Sequence, residues 1–199
     1  NLAGGSAVGI SGKDARMIEA RPFPKKKGAD YGFVGNVKKI NPELIQLLTA
    51  NSFIPVISPV GFREIDGESF NINADEVASE VAIALKASKL IFMTDVNGVM
   101  EKKGDRLVKI DTIDRKRATE LRKKKDVTGG MLPKIESCLK AVEHGVEKVH
   151  VINGRLRHSI LLEIFTRSGI GTEIVKTRPL KATPGANGAS PAPPARASR

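Results

Sequence analysis

The stretch Lys89-Leu90-Ile91-Phe92-Met93-Thr94-Asp95 constrains the fold more than any other, being an apolar run of strand length that ends in two polar residues. A continuous run, rather than alternating apolar and polar positions, predicts a parallel strand covered on both faces. Helices are expected around it at residues 114–125, at 158–165, and from Met131 onward with Ile135, Cys138, Leu139, Val142 and Val146 in register. Further strands are expected at 148–152 and 172–175. This alternation predicts an α/β layered domain. Open parallel sheets bind ligands beyond the carboxyl ends of their strands, which makes Thr94 and Asp95 site candidates, with Asn97-Gly98 as the turn beyond. A plain strand-end cap is the alternative for those two residues.

A second candidate stretch is Asn71-Ile72-Asn73-Ala74-Asp75. Asn71 and Asn73 alternate with Ile72 as along an extended segment, so their side chains share a face. Asp75 falls in the first turn of a helix expected to run to about Ala87, where a carboxylate also serves as a cap. Thr128-Gly129-Gly130-Met131-Leu132-Pro133-Lys134 opens the long helix. Glycines let a backbone approach a ligand, N–H groups at a helix start favour anions, and Lys134 adds positive charge, so phosphate is the natural guest.

In the first half, residues 7–10 read as a strand, followed by a tight turn. Ser11-Gly12-Lys13-Asp14 invites a phosphate-loop reading that fails, because Ala7 stands where that pattern needs glycine and Asp14 where it needs Ser or Thr. Strands at 16–23 and 31–40 flank a basic loop as a hairpin, Asn41-Pro42-Glu43 opens a helix, and 54–60 reads as a buried strand. Asp66-Gly67 signals a hairpin turn. Asn1-Leu2-Ala3-Gly4-Gly5 reads as a helix end with its glycine stop, so an upstream portion is expected to be missing.

A chain of 199 residues, 40% apolar, suffices for one well-buried domain. It has no apolar run long enough to span a membrane and no charged leader, so the expected compartment is cytoplasmic. The single cysteine, Cys138, lies on an apolar helix face and is expected to be buried and inert. The net charge of +11 points first to nucleic acid, but Lys176, Arg178, Lys181, Arg196 and Arg199 supply five of those charges in a stretch without acidic residues. With 4% aromatic residues and no tryptophan, stacking platforms are scarce, and a basic surface equally suits anionic small molecules. Residues 176–199, rich in Pro, Ala, Gly and Arg, are expected to form a disordered tail, leaving 1–175 as the domain. His144 and His150 lack ligand-like spacing, and no metal site is expected.

The motifs Asn71-Ile72-Asn73-Ala74-Asp75, Met93-Thr94-Asp95-Val96-Asn97-Gly98-Val99, Gly130-Met131-Leu132-Pro133-Lys134, Ile152-Asn153-Gly154-Arg155, Leu162-Glu163-Ile164-Phe165-Thr166 and Gly169-Ile170-Gly171-Thr172 occur in this order. Together they resemble the acetylglutamate kinases of the amino acid kinase family, over roughly residues 1–175. The resemblance implies a three-layer α/β sandwich with a central, mostly parallel sheet between helices. It also implies ATP-dependent phosphorylation of the side-chain carboxylate of N-acetyl-L-glutamate, an early step of arginine biosynthesis, with Mg2+ accompanying ATP. On this resemblance Asn71 binds the substrate's α-carboxylate with Asn73 beside it, Lys134 stabilises the transferring phosphoryl group, and Asp75 organises the lysines around it. Thr94, Asp95, Gly130, Met131 and Lys134 surround the nucleotide.

The resemblance further implies a regulatory arginine site at His158, Glu163 and Gly169, and a homo-oligomer, either dimer or hexamer. Arg167-Ser168 depart from the acidic residues frequent there. Two glycine-rich phosphate loops, a lysine and a substrate-gripping arginine that the family carries in its first third are not in this sequence, so residues 1–199 alone are expected to be inactive. A plastid setting stays open if a transit peptide precedes Asn1. The competing readings are a related kinase for glutamate, aspartate, a carbamate or a nucleoside monophosphate, a non-catalytic arginine-binding module, and, third, a nucleic-acid-binding domain.

Overall fold

The computed structural model describes residues 4–24, 31–124, 131–166 and 169–176 of the chain. The first half contains β1 (Ala7–Ser11), β2 (Ile18–Pro22), β3 (Val34–Ile40), α1 (Glu43–Ala50), β4 (Ile54–Ser58), β5 (Val60–Phe62), β6 (Ser69–Ile72) and α2 (Ala74–Ala84). The second contains β7 (Lys89–Thr94), β8 (Met100–Lys103), β9 (Arg106–Lys109), β10 (Thr112–Ile113), α3 (Arg115–Lys124), α4 (Met131–Glu143), β11 (Lys148–Asn153), α5 (Ser159–Phe165) and β12 (Thr172–Ile174). Gly130, the basic hairpin tip at 25–30 and the stretch 177–199 lie outside the described residues.

The expected α/β layering is present. β7 and β11 pair in parallel from Lys89↔Lys148 to Thr94↔Asn153, and β12 joins β11 antiparallel and β10 in parallel. Val149 and Val151 pack into one core with Ile135, Cys138, Leu139 and Val142 of α4. Side chains alternate along a strand, so His150 faces the other way, where it meets Glu163 of α5. β11 therefore lies between α4 and α5. In the first half β1 pairs with β4 in parallel, and β2, β3, β6 and β5 close into a small barrel.

Helix α2 joins the two halves. Val77, with Val81 and Leu85 one and two turns on, packs into the first-half core with Met17, Ile18, Phe70 and Ile72. The neighbouring stripe, Ala78 and Ala82, packs into the second-half core with Phe92. Its carboxyl end closes at Lys86, which has φ 50°, with the Ala87 N–H donating to Ala82 O at 2.9 Å, so the helix stops before the expected Ala87.

Two expectations need correction, and one segment was missed. Strand 54–60 is not buried: it ends at Ser58, and Ile54 and Val56 are 57% and 58% exposed, because β4 pairs only with β1 and one face stays uncovered among the described residues. Among the described residues β7 is not covered on both faces: it is an edge strand, and Met93, on the face opposite Leu90 and Phe92, is 52% exposed. The segment 100–109, assigned no structure from sequence, forms the antiparallel hairpin β8–β9 around Gly104 at φ 60°.

Candidate functional site

The site begins with the capping of α2. Asn73, in extended backbone, accepts hydrogen bonds on Oδ1 from the Asp75 N–H at 2.9 Å and the Glu76 N–H at 3.4 Å. The cap is thus Asn73, not Asp75, and the Asp75 carboxylate is directed elsewhere. Its Oδ2 accepts from Lys134 Nζ at 2.5 Å, joining the start of α2 to the opening turn of α4 across 59 residues of sequence. Pro133 suits such a turn, because its missing N–H costs a helix start nothing. Lys134 is only 20% exposed in its side chain, and its ammonium lies 4.9 Å from the centroid of the Phe92 ring. A cavity of about 450 Å³ between α2 and α4 is lined by Asn73, Asp75, Ser79, Lys134, Ser137 and Lys140.

Asn71 reaches the same end of α2 from β6. Its backbone N–H donates to Phe33 O at 2.8 Å, and its side chain is exposed. Glu76 ties the β2–β3 hairpin to this helix by accepting from the Val37 N–H at 2.9 Å, next to a register shift in that hairpin. Lys13 donates to Ser69 Oγ at 2.9 Å, and the Asp14 carboxylate accepts from the Ser11 N–H, as befits a turn rather than a phosphate loop.

The carboxyl ends of β7 and β11 lie side by side and gather the other polar candidates. Thr94 Oγ1 accepts from the Val96 N–H at 3.2 Å and lies 3.3 Å from Ile152 O. Asp95 is exposed, with Arg155 Nη2 at 3.5 Å. Asn153 donates to Asn97 Oδ1 at 2.7 Å. Asn153 and Arg155 had no role assigned from sequence; the parallel register that pairs Asn153 with Thr94 brings them to the turn that holds Asn97. Met131 is buried in the second-half core, so its side chain is not available to a ligand. Gly98 has φ 93°, and a Cβ there would lie 2.7 Å from Thr172 Oγ1.

A separate polar cluster surrounds Glu163, which is 9% exposed. One oxygen lies 2.7 Å from His150 Nδ1, and the other accepts from the Ile170 and Gly171 N–H groups at 2.6 and 2.9 Å. Burial pushes the carboxyl pKa up, but the two backbone donors and His150 outweigh it and hold the group below its ordinary range. Gly169, at φ 58°, has room for no side chain without crowding that carboxylate. His158 is exposed and precedes α5 with no capping hydrogen bond; the histidine in contact with Glu163 is His150. Its Nε2 is buried without a partner among the described residues. His150, Glu163, Lys89, Lys148, Asp111 and Glu173 line a cavity of about 330 Å³. Among the described residues no His, Cys, Asp or Glu cluster is arranged to hold a metal, and no helix is long and apolar enough to cross a membrane.

A profile of the amino acid kinase family matches residues 2–153. The chain is 50% identical over 186 residues to an acetylglutamate kinase of Solidesulfovibrio magneticus, covering 89% of this chain and 61% of that one. It is 47% identical over 178 residues to an acetylglutamate kinase of Aquifex aeolicus, covering 84% and 58%. The chain thus spans about 60% of the length of these curated relatives. Among solved structures, an N-acetylglutamate synthase from Neisseria gonorrhoeae complexed with coenzyme A and L-arginine superposes with a TM-score of 0.73 at 28% identity, covering 87% of this chain and 38% of that one. The profile match over most of the described fold, with the strand-end and helix-start geometry above, establishes that the chain belongs to the amino acid kinase family.

Proposed function

We propose that the protein phosphorylates the side-chain carboxylate of N-acetyl-L-glutamate with ATP, in arginine biosynthesis. The observation that carries this reading is the Lys134–Asp75 ion pair, held at the start of α2 beside Asn71 and Asn73. Identity to relatives named acetylglutamate kinase supports it. A carboxylate acceptor with a reference pKa of about 4.3 is ionised at neutral pH and needs no general base. Asp75 then serves to orient Lys134, and Lys134 neutralises charge developing on the phosphoryl oxygens. Asn71 and Asn73 contact the acceptor. Thr94, Asp95, Gly130 and Met131 border the nucleotide, which brings Mg2+ on its phosphates.

The finer part of the proposal is inhibition by arginine at the Glu163 cluster. A guanidinium pairs well with a carboxylate, and Glu163 lines a cavity with His150 and Gly169. The synthase structure that resembles this fold was solved with L-arginine. His158 keeps a place in the proposal as an exposed residue at the start of α5. The reading carries with it a cytoplasmic setting and a homo-oligomer.

The test is ADP release from MgATP by the full-length protein, offered N-acetylglutamate, glutamate, aspartate, carbamate or UMP, with and without arginine. Release with N-acetylglutamate alone is the expected result, with suppression by arginine. Release with a different acceptor would move the chain to another branch of the family. Arginine binding without turnover on any acceptor would make it a regulatory module.

A further inference from the structure

β7 turns Leu90 and Phe92 toward α2 and α4, and the alternation that does so leaves Thr94 at the strand end on the same face. Phe92 is 5% exposed, and the Lys134 ammonium stands 4.9 Å from its ring centroid. The ammonium therefore has two neighbours on different elements, the Asp75 carboxylate of α2 and the ring of β7. An aromatic face carries negative charge and attracts a cation within about 6 Å of the centroid, more strongly where water is excluded. With Asp75 as its only contact, Lys134 would keep the freedom of a four-carbon stem to swing about one hydrogen bond. A ring beneath the ammonium removes much of that freedom. An aliphatic residue at position 92 would fill the same core space and give the ammonium nothing.

We propose that Phe92 is a positioning residue, whose ring face holds the Lys134 ammonium where the transferring phosphoryl group needs it. This rests on the phosphoryl-transfer reading above. A displaced charge weakens stabilisation of the transition state more than binding of the ground state, so the effect belongs in kcat rather than KM.

The test places 4-fluoro-, 3,5-difluoro- and 3,4,5-trifluorophenylalanine at position 92 of the full-length protein, with Phe92→Leu as the end point. Fluorine withdraws charge from the ring face while nearly preserving ring shape, so a packing role and a ring-face role give different results. The expected result is a stepwise fall in kcat reaching about three- to tenfold, with both KM values within about twofold and the unfolding midpoint unchanged across the fluorinated series. In the ligand-free protein, NMR of the Lys134 ε-methylene protons gives a second readout independent of activity. The ring displaces those signals upfield, and Phe92→Leu is expected to abolish the displacement. A kcat that stays flat across the series, or ε-methylene signals that ignore Phe92→Leu, would overturn the proposal. Should the unsubstituted enzyme transfer phosphoryl to no acceptor, the kinase reading fails by itself, and the NMR result alone decides whether the ring holds the ammonium.

Discussion

Asn73 caps α2 through the Asp75 N–H at 2.9 Å, and in doing so leaves the Asp75 carboxylate to Lys134. One side chain thus supplies both the helix start and the geometry of the ion pair beyond it. Replacing Asn73 with Ala removes the cap and is expected to cost about 1 kcal/mol of stability in urea unfolding. Asn73→Ser keeps a capping oxygen and is expected to recover most of that loss. Equal stabilities for the two variants would show that the cap contributes nothing.

Glu163 makes stability depend on acid. Its pKa is lowered in the fold, so its contribution is complete above the unfolded value of about 4.3 and is lost as pH falls through the lower folded value. Unfolding midpoints measured from pH 6 down to pH 3 are expected to fall more steeply for the wild type than for Glu163→Gln. Parallel curves would contradict the hydrogen bonds from Ile170 and Gly171.

Much of this was legible in the sequence, and what was not has physical causes. The strand β7 and the helices α2 and α4 announce themselves through apolar patterning. The β8–β9 hairpin does not, because Lys102, Lys103, Arg106 and Lys109 leave it no apolar face; of its residues only Glu101 is buried. The partner of Glu163 was unreadable for another reason. His158 is near it in sequence, whereas His150 reaches it through the parity of β11, which a linear pattern does not reveal. The same holds for Phe92 and Lys134, which meet only because β7 and α4 contribute to one core with α2.

Glu101 also binds the hairpin to α3, accepting from Arg117 Nη2 at 2.6 and 2.7 Å. Glu101→Ala leaves a half-buried guanidinium without its main partner. The expected loss is about 3 kcal/mol, at the low end for a broken buried pair, because Arg117 keeps Glu120 at 3.1 Å. Urea unfolding of Glu101→Ala and of the double variant Glu101→Ala/Arg117→Leu checks this, since the double variant is expected to be the more stable of the two.

Cys138 is fully buried, and its thiol is pushed up to about 12, chiefly by burial. A thiol reagent at pH 8 is expected to label it only as fast as the protein opens, so labelling in native buffer tracks unfolding across a urea series. Rapid stoichiometric labelling of the folded protein would contradict that burial.

In the proposed mechanism Lys134, oriented by Asp75, stabilises the transferring phosphoryl group. The most direct test is kcat for N-acetylglutamate-dependent ADP release by the full-length protein and its Lys134→Ala variant. The expected result is a fall of about 10²- to 10³-fold, with far smaller changes in KM. A variant that turns over at the wild-type rate would remove Lys134 from the mechanism.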